Sequence, residues 1–118
     1  MSRAFDSVTE QLEDAGRDLL VEQGAGAFDL EALARHSYVP VGTVYERWGS
    51  RGEAIADIAR DRLLPALDAM QREDDPQATA SALRLLAVVL AAAADDTDLR
   101  PIAALACASL AAALSGSR

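Results

Sequence analysis

Two runs near the end of the chain, LLAVVLAAAA at 85–94 and PIAALACASLAAAL at 101–114, are apolar almost all the way round a helix. Helices of that kind must be enclosed, because every apolar face turned to water costs free energy. A chain of 118 residues buries only about two-thirds of its unfolded surface, so the amphipathic segments upstream cannot wrap both runs on every side. The cover is then a membrane or a second copy, with an ordinary monomer core as the alternative. No apolar run approaches the roughly 18 residues that spanning a bilayer takes, and alanine contributes little transfer energy. The expectation is a homodimer through residues 76–114, closed by twofold symmetry, with no membrane partner.

Charge narrows the function. Eleven basic residues, all arginine, stand against nineteen acids, and the net charge of −8 repels nucleic acid at long range. Any DNA-binding role must rest on a local patch. Residues 35–62 supply one candidate, with Arg35, Arg47, Arg51, Arg60 and Arg62 set against Glu46, Glu53, Asp57 and Asp61. His36 is the single histidine and Cys107 the single cysteine, which leaves no ligand set for a zinc site and no nucleophile with its base. No enzyme activity, cofactor or metal is expected. The acidic pairs Glu13-Asp14, Asp74-Asp75 and Asp95-Asp96 read as helix-surface and loop neighbours, His36 as a helix-end residue and Cys107 as a small core residue. The N-terminal segment lacks an apolar leader, so a cytoplasmic protein is expected.

The fold class is all-α, with about six helices and no strand pattern. Phe5, Val8, Leu12, Ala15, Leu19 and Leu20 recur at three- and four-residue steps and predict a first helix over 4–23, closed by Gly24 and Gly26. Asp29 caps a short second helix over 30–36, and Pro40 opens a third that ends at Arg47. Ser50 and Glu53 have capping-box spacing and start a fourth helix, whose buried face holds Ile55, Ile58, Ala59, Leu63, Leu67 and Met70. Pro65 should kink or end it. Asp75-Pro76 starts the fifth helix, and the sixth opens near Leu99–Pro101. Residues 1–49 form one unit, and residues 50–118 a connecting helix followed by a dimerisation or ligand region.

Two short helices joined by about three residues, with a long helix on each flank, outline a helix-turn-helix unit. In such units the second helix enters the major groove. A generic helical hairpin has the same outline, so the residues must decide. Leu33, Ala34, Val39, Val44 and Trp48 are spaced to pack the two helices together. Thr43, Tyr45, Arg47 and Arg51 then lie outward or at the edge, with hydroxyl, phenol and guanidinium groups suited to phosphate oxygens. Gly42 presents no side chain to block close approach.

Over residues 12–56 the chain resembles the N-terminal domain of TetR-family transcriptional regulators. Leu12-x-x-Ala15-x-x-x-Leu19-Leu20-x-Glu22-x-Gly24 is similar to that family's first helix and its glycine stop, and Leu33-Ala34 to its Leu-Ala pair. Val39-Pro40-Val41-Gly42-Thr43-Val44-Tyr45, followed by Trp48-Gly49-Ser50-Arg51, resembles the family's V-S-x-G-T-L-Y-x-x-F-x-S-K. The resemblance implies that Thr43 and Tyr45 contact phosphates, that Arg51 replaces a phosphate-binding lysine, and that Val41 and Gly42 lie near base edges. Arg35 joins Arg47 and Arg51 in the basic ridge such a reader needs. Three positions depart from the pattern. Tyr38 stands where the family commonly has glycine, Pro40 replaces serine, and Glu46 places a carboxylate near the groove.

The region after the reading unit is much shorter than the family's usual effector domain. That leaves dimerisation, and a small apolar effector held between subunits, as its expected work. The implied function is a DNA-binding repressor that meets a palindromic double-stranded operator as a homodimer through helix 40–47. The other reading is an interaction or small-ligand module of the same fold that has lost DNA binding and pairs with another regulator.

Overall fold

The computed structural model describes residues 3–115, and side chains from Ser7 onward. Phe5, expected on the apolar face of the first helix, lies outside the described side chains. The helices are α1 (Arg3–Gln23), α2 (Leu30–Ser37), α3 (Val41–Arg47), α4 (Arg51–Ile58), α5 (Leu64–Ala69), α6 (Pro76–Asp95) and α7 (Arg100–Ser115). A π turn at Ala59–Leu63 joins α4 to α5 in one continuous rod, and 3-10 turns occupy Ala25–Ala27 and Thr97–Leu99. The described residues contain no strand.

Local chemistry accounts for the boundaries. Gly24 ends α1 with φ 86°, a left-handed conformation that carries no Cβ penalty in glycine. The carboxylate of Asp29 accepts the Ala32 N–H at 2.7 Å and caps α2. Ser50 accepts the Glu53 N–H at 3.2 Å, while Glu53 reaches back to the N–H of Gly49 at 2.7 Å. This is the expected capping box with its carboxylate carried one residue further back. Asp75 caps α6 through the N–H groups of Gln77 and Ala78. Pro65 does not break the rod. The chain accommodates it by widening into the π turn just upstream, where the Leu64 N–H bonds to the Ala59 carbonyl.

One core runs through the molecule. α1 lies at its centre, packed against α2, α4 and α6. Leu12, Ala15, Leu19 and Leu20 of α1 are buried with Ile55, Ile58, Ala59, Leu63 and Leu67 of the rod. Gly16 lets α1 and α4 cross closely, since a Cβ there would overlap the Ile58 side chain. The expected packing of the reading unit is present: Leu33, Ala34, Val39, Val44 and Trp48 are all buried. α3 packs chiefly on α2 and is otherwise peripheral.

The C-terminal pair departs from expectation in two ways. α6 has 20 residues and Thr97–Ser115 has 19, so both reach the length and apolarity that could cross a membrane. The helices extend beyond the apolar runs from which their length was judged. Yet Ala82, Leu85, Leu86, Val89, Ala92 and Ala93 of α6 are buried within the chain, and α6 packs on α1, α5 and α7. That is how a core helix is used. α7 by contrast buries only Ala103, Ala106 and Ala113, and Cys107, expected in the core, is exposed. A single copy therefore leaves much of α7 uncovered.

Candidate nucleic-acid interface

The turn before α3 and its two buried anchors decide what α3 presents. Ser37 Oγ donates to the Ala34 carbonyl and accepts the Val39 N–H, both at 3.3 Å, holding the turn together from inside. The Gln11 amide of α1 donates to the Ser37 carbonyl at 2.6 Å and ties the turn to the core. Val44 and Trp48, four residues apart, face inward, and the Trp48 indole N–H donates to Asp57 of α4 at 2.8 Å. With that face occupied, Val41, Gly42, Tyr45 and Glu46 turn to solvent. Val41 is 42% exposed and Tyr45 50%. Thr43 is half-buried, and Arg35 is exposed on the last turn of α2.

The other two arginines of the expected ridge are engaged within the chain. Arg47 places Nη1 3.5 Å from Asp57 and lies over the Trp48 ring, 5.1 Å from its centroid. Arg51 donates through Nε to the Phe28 carbonyl at 2.9 Å and through Nη2 to the Ala25 carbonyl at 2.6 Å. Its guanidinium thus clamps the 3-10 turn after α1 to the start of α4. Arg35 is the arginine of the three with its side chain in water, and Glu31 and Glu46 are exposed around it and α3. Among these exposed groups one cation stands against two carboxylates.

Scanned against family models and against curated proteins, the sequence matches none. Among solved structures it is similar to a TetR-family transcriptional regulator from Haemophilus influenzae, with a TM-score of 0.53 and 18% identity. The similarity covers 83% of this chain and 55% of the other. The chain has the TetR fold. It spans little more than half the length of the solved TetR regulator.

Within the TetR fold, three features escaped the sequence. Glu13, expected at the helix surface, is 4% exposed and stands 3.6 Å from Arg62, beside Asp61 of the π turn. Burial first, and then the hydrogen bond and charge of Asp61, push its carboxyl up to about 7 against the opposing pull of Arg62 and Arg47. Asp61 is lowered, chiefly by its hydrogen bond with Arg60. The signal available was faint: Glu13 adjoins Leu12 on the inner stripe of α1. Asp57 is the second feature, since it gathers Trp48, Arg47 and Arg60 at one carboxylate. The third is a groove of about 410 Å³ between α1, the rod and α6, with Arg17, Asp18 and Arg62 as well as Val21, Ala66 and Leu85 in its lining. His36 lies half-buried in the last turn of α2. Among the described residues no His, Cys, Asp or Glu cluster is placed to hold a metal ion.

Proposed function

We propose that the protein is a TetR-like DNA-binding transcriptional regulator that works in the cytoplasm as a homodimer and represses from a palindromic double-stranded operator. The observation that carries this is the two-sided character of α3. Val44 and Trp48 lock it to the body, while Val41, Gly42, Tyr45 and Glu46 face outward, uncovered by the other described residues. A short, rigid, peripheral helix is what a major groove admits. In this reading Thr43 and Tyr45 hold phosphates, Val41 and Gly42 lie against base edges, and Arg35 supplies charge. Arg47 and Arg51 serve the reading face by placing α3 and α4, and reach phosphate only by giving up their present partners.

The exposed large apolar side chains support the dimer. They fall into two groups, Tyr38, Val41 and Tyr45 around α3, and Leu83, Leu90, Leu105 and Leu114 on α6 and α7. The second group is the seam through which two copies pair within residues 76–114, and a small apolar effector would lie where those faces meet. Selection of bound duplexes from a random pool at low salt, with molar mass measured on the same sample, tests both claims. An enriched palindrome on a dimer is expected, and a dimer that retains no duplex would sink the regulator reading. A second reading, an interaction module of the same fold that has lost DNA binding, draws support from the exposed Glu31 and Glu46 and the engaged Arg47 and Arg51. The same experiment separates the two.

A further inference from the structure

Two residues beside the start of α3 run against local backbone preference, Tyr38 and Gly42, and among the described residues no contact compensates for either. Tyr38 is the single non-glycine residue with positive φ among the described residues, at φ 61° and ψ 27°. Glycine adopts that left-handed conformation freely, whereas a side chain there brings Cβ against the following carbonyl. Burial does not repay the strain, because the ring is 91% exposed. Gly42 is the converse case. It sits in the first turn of α3, where alanine would favour the helix, and a Cβ there would meet nothing within 4 Å. The chain holds a tyrosine where glycine would be relaxed and a glycine where a Cβ has open space.

Strain held at a surface with no internal return marks a place where something external makes the return. Both residues flank the outward face of α3. Tyr38 and Arg35 border a shallow depression between α1 and α2, with Leu19 and Gln23 on its other side, and Arg35 also borders the neighbouring depression that reaches Val41 of α3. We propose that Tyr38 is a DNA-contacting residue, its ring lying along a deoxyribose at the edge of the groove and its phenol O–H donating to a backbone phosphate oxygen. The proposal rests on the DNA-binding reading above. Tyrosine suits this position because its ring is stiff and amphipathic, so little entropy is lost when it docks. The left-handed turn holds the ring out from the body, Arg35 beside it supplies the charge that the phenol lacks, and bare Gly42 lets the backbone of α3 approach. Contact with the sugar and phosphate carries no sequence information, so Tyr38 sets affinity and register and leaves base choice to α3.

The test uses the full chain with Tyr38→Gly and Tyr38→Phe, titrated against a selected duplex and a random one, with thermal unfolding on the same samples. Tyr38→Gly is expected to raise Tm by relieving the turn, yet to weaken binding to both duplexes by about tenfold, the scale of losing one good contact. Tyr38→Phe should leave Tm unchanged and lose about threefold. The slope of affinity against salt should stay as in the wild type, whereas Arg35→Ala should lower it by about one contact. Opposite movement of stability and affinity is what a merely structural tyrosine cannot produce. Unchanged duplex affinity in Tyr38→Gly, with or without loss of binding to a protein partner, overturns the proposal while leaving the regulator reading intact. Failure of the wild-type chain to bind any duplex overturns both.

Discussion

Glu13 lies in the interior of α1 against Asp61 and Arg62, and its carboxyl titrates at about 7 in place of the ordinary 4.5. Between those two values the folded state holds a proton that the unfolded state has released. Its stabilising contribution is therefore present below about pH 4.5 and is lost as pH rises through about 7. Glu13→Gln should remove that slope and stabilise the protein at pH 8 by on the order of 2 kcal/mol, measured as Tm against pH. Asp61 acts in the opposite sense, because its lowered value favours the fold until acid protonates it. At the reading face, Gly42→Ala should raise stability by about 0.5–1 kcal/mol and weaken duplex binding, read by melting and titration. Arg51→Ala should lower stability by about 1–3 kcal/mol, since two carbonyls lose a charged donor. These duties were only partly visible beforehand. The sequence shows that position 51 is an arginine just beyond the segment expected to face the groove, but not that its hydrogen bonds go to Ala25 and Phe28. Those partners lie more than twenty residues away and meet Arg51 only through the fold.

At the scale of elements the patterns were easier to read, because helix ends and apolar stripes are local. The starts at Asp29, Ser50 and Asp75 follow from side chains that accept nearby backbone N–H groups, and all three caps form. Ser50→Ala should cost about 1 kcal/mol of stability and loosen the first turn of α4, measurable by hydrogen exchange at Glu53. The inner face of the reading unit was also legible, since Leu33, Ala34, Val39, Val44 and Trp48 must pack for two short helices to hold together. The π turn was not. Pro65 announces a lost hydrogen bond but does not say whether the helix will kink, stop or widen, and packing of Ala59 and Leu63 in the core decides for widening. Cys107 was misplaced for a similar reason. An alanine-rich helix has little periodicity, so the face that turns inward cannot be told from the spacing of its residues.

For the molecule as a whole, the same weak periodicity leaves α7 with one narrow buried edge and a broad apolar exterior. In the dimer proposed above, Leu105→Glu, at a position 57% exposed, should leave the fold of one copy intact and shift the molar mass to that of a monomer in sedimentation. Loss of tight duplex binding in the same variant would follow, because two half-sites are then no longer held together. The rod has a different bearing on the whole. It is fastened to the reading unit twice, at Trp48 by Asp57 and at the turn after α1 by Arg51. Two fastenings on one shaft couple its movement to that of its head. Movement of the rod near Asp61 and Arg62 would thus carry α3 with it, and in the dimer proposed above the pitch at which two such heads address a duplex would follow how the shafts lean.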